Sequence, residues 1–197
     1  MTARAPRPAP GPATLDDLLA IAEERRFHEL IDGNLVEKEA ASGKHGEAQT
    51  RLGRKLGPFD WRHGGPPDRP GGWRFASEVE IYFDATNTFR PDCAGWRRER
   101  LPEMPAEVPV RVVPDWVCEI LSTNRANDLV RKKRVYHLHR VGHYWILDPV
   151  AETLLVYRWG PDGYIEVLAA QRGERVRAEP FVALEIDIGV LLGDDEE

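Results

Sequence analysis

Cysteine is scarce in this chain: Cys93 and Cys118 are the whole supply among 197 residues. Each lies in an apolar, strand-like segment next to an acid. A disulfide framework or a thiolate-rich metal site needs more than this, so the pair reads as two core thiols. Long apolar runs are missing too, and none approaches the roughly 20 residues that a membrane span requires, so no membrane partner is expected. The opening M-T-A-R-A-P-R-P-A-P-G-P lacks the apolar centre of a secretory signal. Its Pro, Ala and Arg content predicts a disordered leader over residues 1–13 and places the protein in the cytoplasm. Positive charge is also in short supply. The balance of 27 Lys and Arg against 33 Asp and Glu is −6, which argues against a protein that coats nucleic acid without specificity.

The charge is unevenly spread, however. From Arg90 to Arg140 there are 11 Lys and Arg against 7 Asp and Glu, a local excess of 11 − 7 = 4, and the segment holds both R-R-E-R (97–100) and R-K-K-R (131–134). A side that faces a polyanion and a solvated basic helix face both fit this pattern. The length suits one domain, expected over residues 14–193, followed by an acidic tail at 194–197.

Along the chain, Thr14 is a helix N-cap candidate with acids in the turn that follows. Two alternating runs in F-H-E-L-I-D-G-N-L-V-E-K flank Asp32-Gly33, a hairpin signal because that turn demands positive φ. Ser42 opens a helix to about Leu56, and a Gly/Pro/Arg-rich loop over 57–72 is expected to be mobile. Strands are expected at W-R-F-A (73–76), E-V-E-I-Y-F (78–83), R-P-D-C-A-G-W (90–96) and D-W-V-C-E-I-L-S (115–122). A helix over 127–141 leads to the strand H-Y-W-I-L-D-P (143–149). A hairpin around G-P-D-G (160–163) and a strand at L-E-I-D-I (184–188) close the chain. This order predicts a mixed α/β sheet with a helical crossover from the Glu119 strand to the Tyr144 strand.

Glu119 is the anomaly in that plan. Trp116, Val117, Cys118, Ile120 and Leu121 are apolar on both alternating faces, as in a strand covered on two sides. An unpaired carboxylate there costs on the order of several kcal/mol or takes up a proton, so a partner is expected. Asp92 also enters an apolar strand, behind a proline that suits its first residue. Strand-end acids that pair with nearby arginines are one reading. A hard divalent cation held between the two is the other, since Mg²⁺ takes one or two carboxylates and keeps positions open for phosphate oxygens. At 100° per residue, Leu129, Lys132, Val135, Tyr136 and His139 share one arc of the next helix, whereas Lys133 and Arg140 project elsewhere. Lys132 therefore faces the sheet, either as an anion's partner or with its stem on the core edge and its ammonium in water. Together, Asp92, Glu119 and Lys132 favour a catalytic reading.

The segments P-D (91–92), D-W-V-C-E-I-L-S (115–122), D-L-V-R-K-K-R-V-Y (128–136) and G-H-Y-W-I-L-D-P (142–149) resemble the Uma-two family of restriction-endonuclease-like proteins, within the PD-(D/E)xK nuclease superfamily. F-H-E-L-I-D-G-N-L-V (27–36) and His45 match its upstream part, so the resemblance spans about residues 27–192. It implies a restriction-endonuclease-like core, with a central four-stranded mixed sheet and flanking helices, to which the two expected runs around Asp32-Gly33 and G-P-D-G add N- and C-terminal hairpins. It also implies a metal site in which Asp92 is the motif aspartate and Glu119 the second acid. The superfamily lysine would fall at Leu121; in this family it is taken to have moved to the next helix, where Lys132 matches.

The expectation is thus a Mg²⁺- or Mn²⁺-dependent endonuclease acting on DNA. Asp92, Glu119 and the Ile120 carbonyl would hold the metal, and Lys132 would orient or deprotonate the attacking water. Glu29 and His45 are possible auxiliaries, Lys133 and Arg125 candidate substrate contacts, and a homodimer is left open. Two rivals remain: a catalytically silent binding or regulatory module on the same fold, and a hydrolase of non-nucleic phosphoesters. Asp148 suits a turn before Pro149. His137, His139 and His143 lack metal-ligand spacing. If the metal reading holds, Asp92 and Glu119 share a face of the sheet, and Cys93 and Cys118 point the other way.

Overall fold

The computed structural model describes residues 11–61, 69–122 and 125–195. Most of the proposed leader, the centre of the 57–72 loop and the last two acidic residues lie outside them. Thr14 caps helix α1 (Leu15–Leu19) in a reciprocal box with Asp17, which satisfies two backbone donors at once. Strands β1 (His28–Ile31) and β2 (Asn34–Glu37) meet at Asp32 and Gly33, whose φ values of 49° and 71° are both positive. That is the twist a two-residue hairpin needs. The Ser42 side chain accepts the His45 N–H at the start of α2 (Gly43–Leu56).

Strands β3 (Trp73–Ala76), β4 (Ile81–Asp84), β5 (Asn87–Phe89), β6 (Cys93–Arg97) and β7 (Trp116–Ile120) follow. The strand expected from residue 78 begins only at Ile81, because Glu78 adopts a φ of 58° and breaks the extended run. The sequence reading missed β5, whose three residues are too few to show a period. After β7 the chain forms a π-helical stretch, Asn127–Lys132, which passes into α3 (Lys133–Leu138). Strands β8 (His143–Asp148), β9 (Thr153–Gly160), β10 (Gly163–Gln171), β11 (Arg175–Val176) and β12 (Ile186–Asp187) and helix α4 (Ile188–Leu191) complete the fold.

The central sheet runs β10-β9-β8-β7-β6-β3. It is mixed: β7 and β8 are parallel across the α3 crossover, and the other neighbours are antiparallel. The resemblance implied four strands; β3, β6, β7 and β8 are those four, and the β9–β10 hairpin widens the sheet to six. The N-terminal hairpin joins a second, antiparallel sheet of order β2-β1-β5-β4.

Alternation along β7 shows how the layers are built. Trp116, Cys118 and Ile120 pack with α2, α4 and Phe181 on one face. Val117 and Leu121 pack on the other face with α3 and the second sheet, through Phe83, Phe89 and Tyr136. Both faces are therefore dry, as a parallel pair at a sheet's centre requires. Among the described residues no helix is long and apolar enough to cross a membrane.

Candidate active site

Cys93 stands opposite Cys118 in the antiparallel β6–β7 ladder. One step further along the same register sets Asp92 opposite Glu119, so their side chains leave the same face while the thiols leave the other. Asp92 and Glu119 are 2% and 1% exposed. The Ile120 N–H donates to Asp92 Oδ2 at 2.7 Å, and the Asp92 N–H points at Glu119 Oε2 at 3.4 Å. The two acids brace each other through the backbone.

The partner that Glu119 demanded comes from the crossover. Lys132 Nζ lies 3.3 Å and the Tyr136 hydroxyl 2.5 Å from Glu119 Oε1. These residues are four apart, one α-helical turn, so both reach the same oxygen. Lys132, 3% exposed, also meets Glu29 Oε2 at 2.9 Å and Asp128 Oδ1 at 3.2 Å. Glu29 in turn accepts the Arg90 N–H through its other oxygen at 2.7 Å. A π-helical turn at this point widens the helix where a functional side chain is delivered, a recurrent use of such turns.

A second cation serves Asp92. Lys38, just past β2, reaches Asp92 Oδ1 at 2.9 Å, both Glu78 oxygens at 2.8 Å and the Arg90 carbonyl at 2.6 Å. His45 Nε2 approaches Asp92 Oδ1 at 3.3 Å from the first turn of α2, and Gln49, a turn later, donates to the Asp92 carbonyl at 2.7 Å. These groups line a cavity of about 500 Å³ that also takes in Glu29, Glu119, Ile120, Asp128 and Lys132.

Burial and charge split the two acids. Burial alone would raise Asp92, but the His45 hydrogen bond, the Lys38 charge and the Ile120 N–H outweigh it and hold the carboxyl well below its usual range. For Glu119 burial dominates and, with Asp128 and Asp92 adding to it against Lys132, pushes the carboxyl up to about 8. Burial opposes the Lys132 ammonium, yet Glu119, Glu29 and Asp128 keep it well above its ordinary range. An ammonium held charged in this way orients and neutralises. It does not take a proton from water, so of the two tasks expected of Lys132 the geometry suits the orienting one.

The structure thus brings together Asp92, Glu119, Lys132, Ile120, Glu29 and His45. It sets Lys133 and Arg125 apart from them, since neither lines the cavity. Lys133 Nζ sits 3.5 Å from the centre of the Tyr157 ring, and Arg125 pairs with Asp148. Asp148 also accepts the Val150 and Ala151 N–H groups in its turn. His137 lies against the Gly160 carbonyl, His139 against Asp84 and His143 against Glu179.

Sequence reasoning passed over Lys38, Glu78, Gln49 and Asp128, and it placed Tyr136 on the inward arc beside Lys132 without giving its hydroxyl a partner. Asp128, four residues before Lys132, was legible as an i,i+4 pair. Lys38 follows Val36 by two, which puts it on the same inward face of the strand. Nothing in the sequence flags Glu78.

The segments that carry the resemblance thus bring Asp92, Glu119 and Lys132 to one cavity. The crystal structure of "a putative nuclease belonging to DUF820" from Anabaena variabilis superposes with a TM-score of 0.68 at 22% identity, over 92% of this chain and 98% of that one. At that identity the likeness establishes the fold. No curated protein matches the chain. The sequence profile of Uma2, described as "Putative restriction endonuclease", matches residues 15–190. With nearly the whole chain covered, the protein belongs to the Uma2 restriction-endonuclease-like family.

Proposed function

We propose that the protein is a metal-dependent endonuclease that hydrolyses phosphodiester bonds in DNA. The observation that carries this reading is the pair Asp92 and Glu119, opposed across β6 and β7 at the floor of a cavity that also presents two lysines. The chain's groups fit a cation. One ammonium already sits among the oxygens of Asp92, Glu78 and Arg90, and Asp92, His45 and Glu78 can bring ligand atoms within 4.8 Å of one another. Asp92, Glu119 and the Ile120 carbonyl would hold Mg²⁺ or Mn²⁺, with His45 and Glu78 beside Asp92. Bound there, a divalent cation supplies Lewis-acid polarisation of phosphate oxygens.

The chain's own residues supply positioning and charge. Tyr136 and Lys132 fix Glu119 through one oxygen, leaving Oε2 toward Asp92. Ile120 and Gln49 fix Asp92 from the strand and from α2. Lys132 offsets negative charge at the cavity floor, which matters most for a pentavalent phosphate in a water-poor site. DNA is the favoured substrate because the local excess of basic residues lies between Arg90 and Arg140, the segment that also carries both acids.

The test is nicking of supercoiled plasmid with Mg²⁺ or Mn²⁺. Activity is expected in the wild type, abolished by EDTA and by Asp92→Asn or Glu119→Gln. Hydrolysis of small phosphoesters without nicking would move the substrate class, and inactivity on both would leave the fold as a binding module.

A further inference from the structure

We propose that Lys38 is an exchangeable counter-cation: its ammonium holds the Asp92 cage together until a divalent cation takes Asp92 over, and it then turns into the cavity toward the substrate phosphate. This rests on the nuclease reading above, but its first half can be tested without any turnover.

Coordination comes first. Lys38 Nζ has four oxygen neighbours, two from Glu78, one from Asp92 and the Arg90 carbonyl, all between 2.6 and 2.9 Å. An ammonium has three protons to donate, so one contact is surplus. Two carboxylates and a backbone carbonyl around one positive centre are the ligand types a hard divalent cation selects.

Mobility is the second point. The Lys38 side chain is 19% exposed and lines the cavity, whereas that of Lys132 is 3% exposed and locked by three acids. The Lys38 backbone is pinned by its N–H to the Phe27 carbonyl, so the four-carbon stem can swing from a fixed root. The cage also has a strained wall. Glu78 adopts a φ of 58°, which a residue with a side chain rarely takes up unless its surroundings enforce it, and both its carboxylate oxygens meet Lys38 beside Asp92. A permanent structural ion pair would not need a strained residue at the mouth of a cavity.

Energetics follow from competition. A positive charge within about 4–6 Å of a carboxylate weakens its hold on a proton by a factor of about 10 to 10³, and it must weaken a metal in the same sense. Removing the Lys38 charge should therefore tighten metal binding while it slows the reaction that uses the freed ammonium.

The experiment is calorimetric titration of the metal-free full chain with Mn²⁺ alone, for wild type, Lys38→Met and Asp92→Asn. Lys38→Met is expected to bind Mn²⁺ about tenfold more tightly or better while nicking falls, and Asp92→Asn to lose binding. Equal or weaker binding in a folded Lys38→Met protein overturns the proposal, even if the wild type nicks DNA. Absence of Mn²⁺ binding by the wild type overturns both this and the nuclease reading. Should Lys38→Met fail to fold, the wild type answers by NMR of its lysine ammonium groups with Mg²⁺. The Lys38 signal, assigned by its absence in Lys38→Arg, is expected to be protected without metal and to lose that protection when Mg²⁺ is added. A signal unchanged at saturating Mg²⁺ overturns the exchange.

Discussion

Asp92 and Glu119 face each other across the β6–β7 ladder, with the Asp92 N–H 3.4 Å from Glu119 Oε2, yet their carboxyls are driven in opposite directions. Asp92 is surrounded by donors: the Ile120 N–H, Lys38 and His45. Glu119 is more deeply enclosed, and its lysine is shared with Glu29 and Asp128. Two like charges this close are relieved when one acid keeps its proton. A divalent cation would remove the conflict, which is the physical sense in which the site suits a metal.

That split fixes the pH behaviour of the metal-free protein. A carboxyl whose folded pKa lies above its unfolded value contributes stability below the unfolded value and loses it as pH rises. For Glu119 the window runs from 4.5 to about 8. Asp92 works at the other end, adding stability above 3.8 that is lost under stronger acid. The unfolding free energy of the metal-free chain, from urea titrations, should therefore fall from pH 4.5 to 8, with a slope of up to ~1.4 kcal/mol per pH unit from Glu119. Glu78 and Asp128, also raised, add in the same sense. Glu119→Gln should flatten that slope; a slope of the same size in the variant would mean that Glu119 is ionised throughout.

Tyr136→Phe removes one oxygen and keeps the ring, which packs on Phe83, Phe89 and Tyr144. Glu119 Oε1 would lose its shortest contact. The expected cost is about 1–3 kcal/mol of unfolding free energy, with the circular-dichroism spectrum unchanged. Since a freed Glu119 can drift from Asp92, Mn²⁺ affinity measured calorimetrically should fall as well. A stability loss with unaltered affinity would show that the hydroxyl serves packing alone.

How far the sequence disclosed this site depends on the kind of signal. Glu119 and Asp92 were legible because a charge inside an apolar strand violates burial rules. Their facing register followed from alternation, and Lys132 from helical spacing. The π-helical form of its turn left no sequence mark, yet Lys132 still points inward, since its spacing to Tyr136 is ordinary α-helix. Lys133 marks the limit of the method. Spacing placed it off the core side, which holds, but could not foresee that the ring of Tyr157, from a hairpin twenty residues on, would claim its charge. Glu78 was illegible because its role depends on a positive φ in a loop that carries neither Gly nor Asn.

Phe181 was equally silent in sequence, a lone aromatic after Pro180. In the fold it is fully buried, with ring centroids 4.8 to 5.7 Å from Phe59, Trp73, Phe75, Trp116 and Trp145. It closes the face of the sheet opposite the acids. Phe181→Ala should cost about 3–5 kcal/mol in denaturant unfolding. A loss under 1.5 kcal/mol would mean that the neighbouring indoles collapse into the space.

Lys132 and Lys133 are adjacent lysines on one helix, so each serves as the other's control. Lys132→Met leaves Glu29, Glu119 and Asp128 without their shared cation. Removing one partner from a buried ion pair costs about 3–5 kcal/mol. The loss should be largest near pH 8 and shrink toward pH 4.5, where a proton can stand in for the ammonium. Turnover of the remaining folded protein should fall by roughly 10²-fold or more if Lys132 orients the reacting groups. Lys133→Met forfeits a cation–π contact on Tyr157, about 0.5–1 kcal/mol, and removes no group that lines the cavity. Its nicking rate should stay within a few-fold of wild type, and the salt slope of DNA association should not change. A slope reduced by about one unit would identify a phosphate contact, and would require Lys133 to leave Tyr157 when DNA binds.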